Sequence, residues 1–233
     1  MSPRRGARLA ALLVPALLLT PVAAHAASLT VDDASGDARA VNMGAVLGAL
    51  LGGSAPSADA PPFLDAPDET SVDVARTTID HARKRLTLTV QFRDLVQVDG
   101  QAADFRIFTP QGRFELTVNQ AEGRAWADLY PLGPGSGATV TVEGNTVTIT
   151  GAETKPCRTV RARYDLAADT LVTSVPTSCL GSPAWVQVRA GLVRTAVTPQ
   201  ADGSANVAAY VDDAFRSGIS LSSMGRSQKV RRG

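Results

Sequence analysis

Four carboxylates stand out as groups that could do chemistry together: Asp32, Asp33 and Asp37 in the stretch DDASGD, and Asp73 near the head of VDVARTTI. Brought to one point they would hold calcium, a hard cation that takes carboxylate and carbonyl oxygens. The spacing is not that of an EF-hand, because the D-x-D-x-D-G order and the distal glutamate are missing. Asp and Gly at strand ends are also ordinary turn residues whose side chains bond local amides, so both readings stand at this stage.

Cys157 and Cys179 are the only cysteines, and His81 is the only histidine beyond residue 26. They cannot supply the four ligands of a zinc site, and they lack the C-x-x-C spacing of a redox pair. In an oxidising compartment they form a disulfide. The runs CRTVRARYDL and TLVTSVPTS flank Leu166-Ala167-Ala168-Asp169, which reads as a turn, and a hairpin about that turn brings the two sulfurs together. A Ser-His-Asp set would have to use His81, which lies in DHARKR and is expected in a solvent-facing loop. No GxSxG, HExxH or glycine-rich phosphate loop is present, so no enzyme is expected. Trp126 and Trp185 are the candidates for stacking on a sugar, against the simpler reading that they fill the core.

The elements that must position these groups are strands. In RLTLTVQF, Leu86, Leu88, Val90 and Phe92 fall on one face and Thr87, Thr89 and Gln91 on the other. ATVTVEGNTVTITG and FRIFTPQGRFELTV read as hairpins around Glu143-Gly144-Asn145 and Thr109-Pro110-Gln111-Gly112. Further strands are expected at residues 72–79, 125–130, 160–165, 171–175, 185–190 and 205–211. The fold class is all-β, a single antiparallel β-sandwich with one disulfide, a short helix and a long loop near the N-terminus. The helix and loop make up an irregular insertion at about residues 43–68, rich in Ala, Gly, Pro and Ser.

Residues 1–26 read as a signal peptide, with Arg4, Arg5 and Arg8 before an apolar run too short to span a bilayer, and Ala24-His25-Ala26 as the cleavage pattern. These residues take three of the 23 Lys+Arg and none of the 22 Asp+Glu, which leaves 20 against 22. A weakly acidic body argues against nucleic acid as partner. Domain boundaries are expected at 27–213 for the sandwich and 214–233 for a basic flexible tail carrying Arg216, Arg226, Lys229, Arg231 and Arg232. The expected product is a secreted, extracellular monomer without a membrane span.

Asp33-Ala34-Ser35-Gly36-Asp37, then Val72-Asp73-Val74, His81 and RLTLTVQFRDL resemble the N-terminal pattern of secreted β-sandwich proteins common in actinobacteria, which are similar to family 9 carbohydrate-binding-module and DOMON-like sandwiches. The resemblance covers roughly residues 29–95, and CRTVRARYD and VPTSCLGSPAWVQV resemble the cysteine-containing second half of the same group. It implies a β-sandwich, metal-supported loops of the calcium kind and a glycan or cell-envelope component as partner. The insertion at 43–68 departs from the pattern, and a haem site is not expected, because the Met and His pair used by some DOMON domains is absent. The function expected is an extracellular binding or interaction module, followed by a structural envelope protein without a small ligand and then an unrecognised hydrolase.

Overall fold

The computed structural model describes residues 27–46, 60–96, 99–133, 139–143, 146–150, 157, 159–220 and 223–233. The expected signal peptide and the centre of the insertion therefore lie outside the described residues.

In chain order the strands are β1 (Ala27–Asp32), β2 (Arg39–Val41), β3 (Phe63–Asp65), β4 (Val74–His81), β5 (Arg85–Phe92), β6 (Gln101–Thr109), β7 (Gly112–Ala121) and β8 (Arg124–Leu132). They continue as β9 (Thr139–Glu143), β10 (Thr146–Thr150), β11 (Arg161–Asp165), β12 (Thr170–Pro176), β13 (Trp185–Pro199), β14 (Ala205–Asp213) and β15 (Val230–Arg231). One sheet has the order β1-β4-β5-β12-β11 and the other β3-β2-β14-β13-β6-β7-β8, with β15 paired to β13 and the β9–β10 hairpin separate. Every strand pair is antiparallel. The all-β sandwich expected from the alternation is the fold observed.

The core lies between the sheets. Leu86, Leu88, Val90 and Phe92 point inward from β5, and Phe105, Ile107, Leu116, Val118, Val186 and Val188 answer from β6, β7 and β13, all buried. Each such side chain contributes about 1.5–3 kcal/mol by leaving water.

The turns follow local chemistry. Between β6 and β7, Thr109 and Gly112 are paired, and the Thr109 hydroxyl accepts the amides of Gln111 and Gly112. Between β11 and β12 the chain turns through Leu166–Ala168, and Asp169 takes φ 51°, a left-handed conformation that Asp tolerates better than most residues. β11 pairs with β12 from Arg161↔Ser174 to Asp165↔Thr170, and the disulfide Cys157–Cys179 lies beyond the outer end of that ladder with 6.1 Å between Cα atoms.

Three expectations need correction. His81 is fully buried at the end of β4, because it continues the inward series Thr77, Ile79, His81, and Val230 caps it through its carbonyl 3.1 Å from Nδ1. The tail at 214–233 is docked rather than loose. Ser227 donates to and accepts from Val188, β15 pairs with Trp185 and Val186, and the Gly233 amide reaches the His81 carbonyl. Its basic side chains face out while Ser227 and Val230 are buried, so charge composition alone misread it. In the insertion the expected short helix is present at 43–46, and only the far end differs, where Phe63–Asp65 adds a strand to β2.

Candidate functional site

Asp33 follows the last residue of β1, Asp37 sits before β2, and Asp212 is near the end of β14. Their carboxylates each bring an oxygen to one place, all within 4.8 Å of one another. Sheet geometry puts them there: the ends of β1 and β14, from opposite sheets, lie on either side of the turn 33–37, and the Gly36 amide in that turn donates to Asp73 Oδ2 at 2.8 Å. Gly36 has φ +81°, which suits glycine, and a Cβ there would stand 3.3 Å from the Arg93 guanidinium.

Neighbouring backbone amides already hold part of the cluster. Asp212 accepts from Val74 at 2.7 Å and from Asp213 at 2.8 Å, Asp33 from Ala34 at 2.9 Å, and Asp37 from Gly218 of the C-terminal segment at 2.8 Å. Asp33 Oδ2 and Asp37 Oδ1 are nevertheless buried without a hydrogen-bond partner among the described residues, and Asp37 is only 7 % exposed. Stranded carboxylate oxygens at a convergence of three acids are what a bound cation satisfies.

The electrostatics agree with the geometry. Burial pushes the Asp33 carboxyl up to about 7, helped by Asp37, Asp213 and Asp73. Burial likewise pushes Asp212 up to about 8, helped by Asp37 and Asp33. Asp33, partly buried, and Asp212, fully buried, are held toward their protonated forms unless a positive charge joins them. The donor set is all oxygen, which suits calcium rather than a soft metal.

Of the four acids singled out in the sequence, Asp33 and Asp37 meet. Asp73 adjoins them, fully buried, with Oδ2 3.0 Å from Arg93 and Oδ1 unpartnered among the described residues. Asp32 does not join: it falls on the exposed face of β1 with Ser28 and Thr30, where it pairs with Arg76 at 2.6 Å. Asp212 and Asp213 were missed. The available signal was a repeat, because Val-Asp-Asp runs across the end of β1 and closes β14.

The aromatic candidates part ways. Trp126 is 46 % exposed on β8 and rims an open groove of about 620 Å³ between β8 and β11, with Arg161, Arg163, Val172 and Ser174. Tyr130, two residue pairs along the same face, is 44 % exposed. Trp185 is partly covered, with the Lys229 ammonium 4.2 Å from its ring centre.

Fold and site together define a disulfide-tied β-sandwich with a carboxylate cluster at one end and an exposed aromatic groove at an edge. No family model, curated protein or solved structure matches the chain.

Proposed function

We propose that this chain is an exported binding module in which calcium braces the loop end of a β-sandwich and the Trp126 groove takes a glycan of the cell envelope. Export rests on the leader-like residues 1–26 and on the disulfide, a bond kept in oxidising compartments. Among the described residues no helix is long and apolar enough to cross a membrane. The brace rests on Asp33, Asp37 and Asp212, with Asp73 beside them.

The observation that carries the reading is the half-exposed Trp126. Large rings bury well, and a folding role alone would favour hiding this one. Instead it borders guanidinium and hydroxyl groups, the donors that fix sugar hydroxyls around a stacking ring. The test is retention of the calcium-loaded protein on cell-wall glycan fractions, comparing the parent with Trp126→Ala. Loss of a central tryptophan contact costs about 2 kcal/mol, roughly thirtyfold in affinity. Equal retention of the two proteins, or no retention of the parent on any fraction, would overturn the reading.

A further inference from the structure

Arg106 on β6 and Arg189 on β13 are directly opposite in the strand register, on the outer face of the second sheet. Like charges placed so are destabilising. A third guanidinium joins them from the C-terminal segment: Arg226 lies 4.0 Å over the Phe108 ring, whose centre is 5.4 Å from Arg189. Arg226 is placed firmly, since Gly225 donates to Asp213 and Ser227 to Val188 on either side of it.

Three acids face this cluster, and one of them, Asp104, attracts Arg106 from the same face of β6 while bonding the Thr117 side chain, yet Arg189 is left without an ion pair among the described residues. Glu115 stands 3.9 Å from Arg106, at the edge of ion-pair range, and Asp213 is already engaged by the amides of Phe215 and Gly225. The Nε atoms of Arg106 and Arg189 are buried without hydrogen-bond partners among the described residues. Burial and the charges of Arg226 and Arg106 all work against the protonated form of Arg189. An anion would relieve every one of these conditions.

We infer that Arg106, Arg189 and Arg226 form a site for the carboxylates of an acidic, uronate-bearing glycan. A guanidinium fork matches a carboxylate through two parallel N–H bonds. The same fork also matches phosphate, and it is the exposed Tyr130 ring in line with the arginines that favours a sugar chain over a polyphosphate. One cross-strand row runs Tyr130, Glu115, Arg106, Arg189, so the exposed ring lies two strands, about 10 Å, from the first arginine. That separation lets a chain of linked sugars stack on Tyr130 and present a carboxylate to the arginines. The inference rests on the glycan reading above and names the class of glycan.

The test is titration calorimetry of the calcium-loaded protein with an oligogalacturonate and with a cello-oligosaccharide of equal length, using the parent, Arg189→Gln, Arg226→Gln and Trp126→Ala. The expected result is that each arginine variant binds the charged oligomer about tenfold more weakly, and binds the neutral oligomer no differently. Arg189→Gln should also melt no lower than the parent, because it removes a repulsive pair, so lost binding would not be lost folding. Raising the salt well above physiological strength should weaken only the charged oligomer. Arginine variants that bind the charged oligomer like the parent overturn the inference and leave the Trp126 reading standing. Arginine dependence with no effect of Trp126→Ala does the reverse. A polyphosphate chain bound more tightly than the galacturonate overturns the choice of carboxylate.

Discussion

Replacing Asp33 with asparagine should raise the melting temperature of the metal-free protein at pH 8 and should remove the stabilisation by calcium that the cluster predicts. Asp33 and Asp212 have folded-state pKa values of about 7 and about 8, far above their ordinary value of 3.8. Without a cation, the folded state therefore keeps protons that the unfolded chain has released, so stability falls as pH rises from about 3.8 and levels off once pH passes the folded values of about 7 and about 8. His81 works in the opposite sense: burial lowers its pKa, so the unfolded chain takes its proton below 6.5 and stability falls toward acid. Above pH 6.5 the histidine is neutral in both states, and the decline there belongs to the carboxylates.

Asp33→Asn removes one of those charges while its amide oxygen still accepts from Ala34. It also lowers the repulsion on Asp212, whose pKa rises in part through Asp33. The metal-free variant should therefore show a flatter decline of melting temperature between pH 6.5 and pH 8 than the parent. A variant that melts lower than the parent at pH 8, or that still gains stability from calcium, would refute the assignment of Asp33.

The second large effect is covalent. Changing both Cys157 and Cys179 to alanine should lower the melting temperature by about 6–12 °C, since closing a loop of this size contributes about 3 kcal/mol and each kcal/mol moves a chain of this length by about 2–4 °C. The damage has a definite place. The bridge ties the approach to β11, an edge strand, and beyond it Arg85 holds the Thr159 carbonyl at 3.1 Å. Loosening that edge frees Tyr164, which stacks 6.4 Å from Phe92, and the groove side chains Arg161 and Arg163. Glycan retention should fall along with stability. A double variant that melts within a degree of the parent would show that the bridge closes a loop already fixed by packing.

The strands were legible because one buried face imposes a period of two. RLTLTVQF is β5 from its first residue to its last, and Thr109-Pro110-Gln111-Gly112 marks the β6–β7 turn. The same period could have sorted the acids: Asp32 belongs to the outward series Ser28, Thr30, Asp32, so it could not share a site with an inward group from the same strand. It could also have buried His81. Asp212 was a different matter, because its place beside Asp33 depends on which strand ends meet at the loop end, and the Val74 amide that binds it is 138 residues away. Long-range pairing of that kind leaves no local trace. The docked tail hides for a related reason: its few inward residues, Ser227 and Val230, are outnumbered by Arg and Lys that face solvent.

The carboxylate cluster brings together the end of β1, the turn after it and β14, and Asp37 accepts from Gly218 of the C-terminal segment, so a cation bound there would tie together parts of the chain that local sequence leaves unrelated. Its most direct test is the melting temperature of the protein at pH 8 in excess calcium against the same protein in chelator. At calcium a hundredfold above its dissociation constant, binding adds about 2.7 kcal/mol, a rise of about 5–11 °C. At pH 4.5, where protons hold the cluster instead, the rise should vanish. Identical melting curves with calcium and with chelator at pH 8 would contradict the account.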